Sequence, residues 1–417
     1  MDFFRFLQKA PTAWHAAKEI SNALTEKEFI PLFEGDKWKL ERGKSYFVER
    51  EGALLAAFRI PKKMLQSSLI LASHTDSPAL KIKPQPDLLT KEISQLGTEI
   101  YGGPLLHSWF DRDLALAGRL ETDRGSQLVF LDDMPLVIPQ LAIHLDKTIH
   151  EKGLHIHKQD HLKAILSIKG SSTLEQVLKK KLGIHQLYAF DLFLVPTEKP
   201  SHLGLHGELL AGYRIDNLSS AYACLEALLK TAPRQDTLQM ALFWDHEEIG
   251  SLSATGAASS FVDELLERIT LGLKLEKEEL YCLKSRSLVL SADVAHGWNP
   301  NFSEKYDPQN SPLLGSGTVL KFNAGRKYAS DAPAAATLLK IAEKQGLTIQ
   351  KAANRSDIPS GSTVGPIMSA NTGIPTLDIG LACWAMHSTR EIIAASDLKE
   401  LEKLLQAMLN EWTPQNA

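Results

Sequence analysis

The sequence is poor in features that mark several large classes of protein. Only three of its 417 residues are cysteine, and Cys224, Cys282 and Cys383 lie far apart with no Cys-x-x-Cys spacing. This argues against a disulfide framework and against a thiolate zinc site. No uninterrupted apolar run reaches about 18 residues, and the N-terminal segment lacks the apolar core of a signal peptide. We therefore expect no transmembrane helix and no membrane partner.

A marked excess of charge of either sign is also lacking. The formal net charge is −4, and lysine and arginine are scattered along the chain, so no nucleic-acid partner is expected. Charged residues make up 23% and hydrophobic residues 44% of the chain, which is typical of a globular protein. A chain of this length can form two domains, or one large domain with an insertion. We expect a soluble, cytoplasmic protein.

Short apolar segments alternate with longer amphipathic segments along most of the chain. Buried strands are predicted by near-continuous apolar runs, at 67–73, 237–244, 287–293 and 374–380. Helices are predicted by apolar residues at helical spacing, at 219–230, 334–346 and 396–412, the last with Ser396 as its N-cap. This alternation predicts an α/β fold in which a sheet is covered by helices on both faces.

The middle of the chain has a different pattern. Residues 86–206 contain short alternating stretches, several turns and nine of the fourteen histidines. We interpret this segment as an inserted β-rich domain, so that 1–85 and 207–417 together form the other, α/β domain.

Acidic residues and histidines follow the predicted strands. In chain order these residues are His74, Asp76, Glu247, Glu248, Asp293 and His387, and Asp216 precedes the helix at 219. Ligands of α/β sheets bind beyond the carboxyl ends of the strands, so these side chains are expected to converge. Residues 74 and 76 share one face of an extended chain, which allows Asp76 to accept the imidazole N–H of His74.

This set of side chains predicts metal binding. Each residue alone is more often a turn former, a helix cap or a packed histidine. Converging carboxylates in a buried cleft, however, carry a large electrostatic cost that divalent cations remove. Imidazole and carboxylate without thiolate suit zinc, manganese or cobalt. Two histidines and three carboxylates exceed the needs of one catalytic ion but fit two ions about 3.5–4 Å apart that share a carboxylate.

The adjacent pair Glu247 and Glu248 fits the same interpretation. Neighbouring residues point in different directions in a strand or a helix. One glutamate can therefore bind metal while the other acts as the general base on the water between the ions.

Several segments together resemble the aspartyl aminopeptidase family of cytosolic dinuclear zinc peptidases. These segments are SHTDSPALKIKP, YGGPLLHSWFDRDLALAGR, LAIHL, RIDNLSS, DHEEIGS, SADVAHGWNPNF and PSGSTVGPIMSANTGIPTLDIGLACWAMHSTRE. The resemblance extends over nearly the whole chain. It implies a mixed-sheet catalytic domain of the zinc-peptidase, phosphorylase/hydrolase-like type, and an inserted β-rich domain that acts as a lid and in oligomerisation. It also implies a tetrahedral dodecamer that admits only short peptides with a free N-terminus.

The resemblance implies a role for each residue of the set. His74 and Asp293 would bind one zinc ion, Glu248 and His387 would bind the second, and Asp216 would bridge the two. Glu247 would be the general base, and Asp76 would orient His74.

The resemblance also assigns substrate contacts. His144 would reach from the inserted domain into the active site of a neighbouring subunit, whereas His296, Lys321 and Tyr328 would line the substrate pocket.

Several positions depart from the common pattern of the family and leave the substrate preference open. YRIDNL stands where ARLDNL is common. Asn299 stands where a second histidine is common, and Arg326 and Lys327 stand where Gln-Arg is usual. None of the departing positions is a predicted metal ligand or the predicted base. The residues needed for hydrolysis are therefore all present. Acidic, neutral and basic N-terminal residues remain open as substrates.

Two alternatives to a metal-dependent aminopeptidase are considered. The same dinuclear arrangement serves deacylases and carboxypeptidases, which differ in the end of the substrate that the pocket accepts. A catalytically silent, metal-bound peptide-binding or assembly protein is the second alternative. A glutamate that binds no metal would have no purpose in such a protein.

Overall fold

Four parallel strands occupy the centre of the largest sheet. The computed structural model describes residues 2–170 and 172–414. Its strands are β1 Ile30–Leu32, β2 Ser45–Arg50, β3 Leu54–Arg59, β4 Ser67–His74, β5 Ala79–Thr90, β6 Ile93–Tyr101, β7 Leu114–Thr122, β8 Gly125–Leu136, β9 Ala164–Ser167, β10 Leu187–Pro196, β11 Ser201–Leu203, β12 Leu209–Gly212, β13 Thr237–Trp244, β14 Ser287–Ala292, β15 Ala295–His296, β16 Thr318–Lys321, β17 Ile349–Ala352, β18 Thr376–Gly380, β19 Ala382–Trp384 and β20 Glu391–Ala394. Its helices are α1 Phe3–Lys9, α2 Ala13–Glu26, α3 Ile149–Lys152, α4 Leu174–Leu182, α5 Ile215–Leu229, α6 Phe261–Gly272, α7 Lys277–Ser285, α8 Ala332–Lys344, α9 Val364–Thr372 and α10 Ala395–Glu411.

The nine-stranded sheet contains all four predicted core strands. Its order is β1-β2-β3-β13-β4-β14-β18-β16-β17, and β13, β4, β14 and β18 are parallel neighbours. Strand β3 pairs antiparallel with β13, and β16 pairs antiparallel with β18, so the sheet is mixed. Every residue of the four parallel strands is buried, which agrees with their apolar runs. The predicted α/β fold is confirmed, and the carboxyl ends of the four strands open on one edge.

Helices cover both faces of this sheet. Helices α5, α8 and α10 supply Leu218, Leu338 and Leu401 to the core on one face, and each of these side chains is fully buried. Helices α6 and α9 supply Leu266 and Met368 to the opposite face. Burial of one such leucine stabilises the fold by about 1.5–3 kcal/mol. Among the described residues, no helix has the length and apolarity needed to cross a membrane.

The start of the last helix differs from the prediction. Helix α10 begins at Ala395, and Ala394 occupies the N-cap position without a side-chain cap. The expectation that Ser396 is the N-cap is therefore wrong. Asp397 instead accepts hydrogen bonds from the backbone N–H groups of Gly315 and Gly317, which join this end of the helix to a neighbouring loop.

A second sheet is formed by the middle of the chain. Its six antiparallel strands follow the order β8-β7-β10-β5-β6-β9, and they have their own core around Trp109, Leu116 and Leu192. The predicted boundary between 85 and 86 falls within β5, which begins at Ala79. The division into 1–85, 86–206 and 207–417 stays a prediction.

A third, five-stranded sheet has the order β11-β12-β20-β19-β15. Three of its strands adjoin predicted site residues: β12 precedes Asp216, β15 follows Asp293 and β19 precedes His387. This small sheet therefore positions three of the candidate ligands.

Candidate metal centre

The first group of candidate ligands lies where β4 and β14 end. The Nε2 atom of His74 is 3.5 Å from Oδ1 of Asp216 and 3.6 Å from Oδ1 of Asp293. Their ligand atoms all lie within 4.8 Å of one another, as a shared ion requires. The side chains of His74, Asp216 and Asp293 are only 1%, 5% and 12% exposed.

A second group adjoins the first through the same aspartate. The Nε2 atom of His387 is 3.2 Å from Oδ2 of Asp216 and 3.4 Å from Oε2 of Glu248. The two oxygens of Asp216 thus face different groups, Oδ1 towards His74 and Oδ2 towards His387. Asp216 therefore contributes one oxygen to each group.

Glu247 lies beside these groups. Its Oε2 atom is 4.0 Å from Nε2 of His74, and its side chain is 15% exposed, compared with 5% for Glu248. His74, Glu247 and Glu248 form a further set of ligand atoms within 4.8 Å. Either glutamate is therefore close enough to His74 to share an ion with it, but of the two only Glu248 contacts His387.

Protonation of the protein without cations shows why the site fits divalent ions. Burial raises the pKa of Glu247 to about 8 and that of Glu248 well above its usual value, with further raising by Asp216. Burial alone would lower the pKa of His74, but the neighbouring carboxylates of Asp216, Asp293 and Asp76 raise it. Without a cation, burial therefore favours the protonated form of the two glutamates, whereas a divalent cation would stabilise their charged form.

An unpartnered oxygen supports the same conclusion. Within residues 2–170 and 172–414, Oδ1 of Asp216 is buried and has no hydrogen-bond donor. A buried carboxylate oxygen without a partner is costly. The donors are imidazole and carboxylate, which suit zinc. The residues present therefore fit a metal centre.

Asp76 joins His74 to the turn that carries Glu247 and Glu248. Its Oδ1 accepts a hydrogen bond from the backbone N–H of Glu247 and its Oδ2 from that of Glu248, each at 3.1 Å. The hydroxyl of Tyr101 donates to Oδ2 at 2.7 Å, and Nδ1 of His74 lies 3.3 Å from Oδ1 and 3.1 Å from the backbone oxygen of Asp76. With Nδ1 engaged in this way, Nε2 of His74 faces Asp216 and Asp293.

The turn after β6 fixes the second histidine. The Nδ1 atom of His387 donates to the backbone oxygen of Gly103 at 3.0 Å, which leaves Nε2 free towards Asp216. Gly102 has φ +70°, and a Cβ there would lie 3.1 Å from Cβ of Glu248. Only glycine fits this approach without displacing the glutamate.

The residues expected to contact substrate lie in two places. His296, Lys321 and Tyr328 line a cavity of about 280 Å³. Lys321 is buried, and its Nζ donates to the backbone oxygens of Asp293 and Val294, so the cavity adjoins the first group of ligands. His144 lies on an exposed turn of the second sheet's connections and belongs to neither group.

The departures at Asn299, Arg326 and Lys327 lie in connecting segments. Asn299 caps a short turn by accepting from the N–H of Asn301. Arg326 donates to the backbone oxygen of Ala329, and the N–H of Lys327 donates to Asn323. None of the three belongs to a ligand group.

The sequence interpretation did not identify three residues that hold the candidate ligands in place. Tyr101 and Gly103 stand in the quoted YGGP segment, and Glu391 ends the quoted HSTRE segment. Tyr101 contacts Asp76, Gly103 contacts His387, and Glu391 contacts Asp216, each across 25 or more residues of sequence, and no residue spacing indicates these pairs.

Known proteins match the chain over almost its full length. The family model described as aminopeptidase I zinc metalloprotease (M18) matches residues 6–409. The chain belongs to this family. It is a metal-dependent aminopeptidase, a hydrolase of the M18 zinc metalloproteases.

Individual relatives agree with this assignment. A probable M18 family aminopeptidase 2 of Pseudomonas savastanoi pv. phaseolicola is 37% identical over 417 residues, which cover 96% of each chain. The cryo-EM structure of the Ape4 and Nbr1 complex contains a chain 34% identical, with a TM-score of 0.91 over 98% of this chain and 84% of that one. The structure of the S. cerevisiae mApe1 dodecamer is 26% identical, with a TM-score of 0.86 over 98% and 96%.

Proposed function

We propose that this M18 aminopeptidase releases the N-terminal residue of short peptides at a centre of two zinc ions. The observation that carries the proposal is the position of Asp216, whose two oxygens face two separate histidines. A single ion would leave one of these oxygens without a cation. Manganese or cobalt could occupy the same ligands.

The ligands divide between the two ions. His74 and Asp293 would hold one ion, Glu248 and His387 the other, and Asp216 both. Ions bound there would lower the pKa of water and polarise the scissile carbonyl.

Glu247 would act as the general base. It stands beside His74, and its side chain is more exposed than that of Glu248. It would accept the proton of the attacking water and return it to the amine of the leaving peptide.

Asp76 would keep this base in place. It accepts the N–H groups of both glutamates, so the turn that presents Glu247 is fixed relative to His74. Removal of Asp76 would disturb the base and a ligand together.

The cavity lined by His296, Lys321 and Tyr328 would receive the side chain of the N-terminal residue. The free α-amino group would lie against the carboxylates and cations of the centre. An acetylated N-terminus carries no positive charge and adds bulk, so it should be a poor substrate.

Assembly into a homo-oligomer completes the proposal. The related mApe1 forms a dodecamer, and the exposed position of His144 suits a residue that enters a neighbouring subunit's site. A shared, enclosed site would restrict access to short peptides.

A substrate panel tests the proposed reaction. The protein would be loaded with zinc, manganese or cobalt and given free and N-acetylated aminoacyl substrates from Asp and Glu through Leu to Lys and Arg. Cleavage of free substrates alone, abolished by a chelator, is the expected result. Turnover of acetylated or C-terminally free substrates would instead identify a deacylase or carboxypeptidase, and no turnover with metal bound would identify a binding protein.

A further inference from the structure

Glu391 is a buried carboxylate that the proposed mechanism does not use. It is 1% exposed and begins β20, the central strand of the five-stranded sheet. The strands on either side are β12 and β19, and both lead into segments that carry candidate ligands. Glu391 therefore lies between the chain that presents Asp216 and the chain that presents His387.

Both oxygens of Glu391 accept hydrogen bonds from ligand residues. Oε2 accepts the backbone N–H of Asp216 at 2.8 Å, and Oε1 accepts the backbone N–H of His387 at 2.6 Å. One carboxylate thus joins two segments that are 171 residues apart in sequence, since 387 minus 216 is 171. These two residues face each other at 3.2 Å in the second ligand group.

The strand pairing alone does not account for this contact. The ladder between β12 and β20 ends at Gly212 and Glu391, and the ladder between β19 and β20 ends at Trp384 and Ile392. Asp216 and His387 lie beyond both ladders. His387 has φ +68°, a backbone conformation that is unfavourable for histidine without support from its surroundings.

The two accepting oxygens of Glu391 account for its place in the interior. Burying a carboxylate is costly unless it is compensated. Here two backbone amides, those of Asp216 and His387, donate to its oxygens. An apolar residue could pack at this position, but it would leave both amides without acceptors.

We propose that Glu391 is a positioning residue that fixes the bridging aspartate relative to His387 and so sets the affinity of the second ion. It acts through the backbone and binds no metal itself. This inference rests on the proposed two-ion centre.

The test replaces one accepting oxygen while keeping the shape of the side chain. In Glu391→Gln the amide nitrogen would face a backbone N–H, so one of the two hydrogen bonds is lost. Zinc content and zinc affinity would be measured by titration against a chelator, beside the melting temperature of the metal-free protein. Loss of a partner that orients a ligand typically reduces metal affinity about 10- to 100-fold.

We expect the larger loss at the second ion, because both residues that Glu391 positions would bind it, whereas only Asp216 would bind the first. His387 belongs to the second group alone. In the variant, the zinc concentration that half-fills the second site should therefore rise about 10- to 100-fold. At saturating zinc, kcat should return to within a few-fold of wild type. Recovery with added zinc separates positioning from a general loss of structure.

Two further variants make the result decisive. Glu402→Gln is the matched control, because Glu402 bonds to Lys230 on the outside of α10 and touches no ligand. Glu391→Asp keeps the charge, but its shorter side chain cannot reach both amides, so it should weaken zinc binding in the same direction. If Glu391→Gln does not fold, Glu391→Asp carries the test.

The outcomes distinguish the two proposals. A wild-type protein that binds one zinc ion would overturn the two-ion centre itself. Two ions in wild type and unchanged zinc affinity in the folded Glu391 variants would overturn the positioning role. A lower melting temperature with unchanged zinc affinity would do the same.

Discussion

Replacement of Tyr101 by phenylalanine removes one hydroxyl that joins the six-stranded sheet to the metal centre. This hydroxyl donates to Oδ2 of Asp76 at 2.7 Å. Burial, followed by the nearby carboxylate of Asp76, raises the pKa of Tyr101 far above its usual value, so the hydroxyl keeps its proton and remains a donor. The ring packs edge-on against Phe193 at 5.5 Å, and phenylalanine retains that contact.

The size of the effect follows from the remaining partners of Asp76. A hydrogen bond to a charged group contributes about 1.5–3 kcal/mol. Oδ2 keeps the N–H of Glu248 at 3.1 Å, so the substitution leaves the carboxylate with a donor. The lower end of the range applies, about 1.5–2 kcal/mol, which corresponds to roughly 10- to 30-fold in affinity. Because Asp76 orients His74, we expect this effect of roughly 10- to 30-fold to appear as weaker binding of zinc.

The assay is zinc affinity by chelator competition, together with kcat/KM at saturating zinc. Tyr46→Phe is the matched control, because the Tyr46 hydroxyl accepts the N–H of Glu41 in the N-terminal part of the chain and touches no ligand. The control should lose stability without loss of zinc affinity. If Tyr101→Phe binds zinc within twofold of wild type, Asp76 does not depend on the tyrosine and the reasoning is refuted.

Two further predictions concern stability. A methyl group in Gly380→Ala would overlap the backbone oxygen of Asp293, so we expect the free energy of unfolding, measured in urea, to fall by about 3 kcal/mol or more. Gly361 has nothing within 4 Å of the place where a methyl group would lie, so Gly361→Ala should change the free energy of unfolding by less than about 0.5 kcal/mol. Equal effects of the two would contradict the packing argument. Burial, followed by the charge of Arg214, lowers the pKa of His15 to about 4. The folded protein therefore stays neutral at His15 while the unfolded chain gains a proton below pH 6.5, so stability is full above this pH and is lost as the pH falls towards 4, by about 2 kcal/mol at pH 5. In zinc-loaded protein, His15→Asn should remove this part of the decrease between pH 7 and pH 5, and an unchanged decrease would contradict it.

The sequence predicted the ligand groups because they follow from regular structure. Each apolar run became a buried strand, and parallel neighbours necessarily end at the same edge of a sheet. His74, Glu248 and Asp293 follow three such strands, so their convergence needed no knowledge of side-chain contacts. The individual roles of these residues remain predictions from the resemblance.

The supporting residues could not be predicted in this way. Glu391 binds a backbone amide 175 residues earlier, and Tyr101 reaches Asp76 from a different sheet. Backbone amides carry no residue identity, so no spacing or periodicity indicates such a partner. The error at Ser396 has a related cause, because the local capping rule does not include the contacts of Asp397 with a distant loop.

Turnover of Glu247→Gln at full zinc occupancy tests the central claim most directly. Glutamine keeps the size of the side chain and cannot accept the proton of water. The account predicts wild-type zinc content and a fall in kcat of about 10²- to 10⁴-fold on a free aminoacyl substrate. Near-wild-type turnover with both ions bound would contradict the assignment of the base, and loss of an ion would place Glu247 among the ligands.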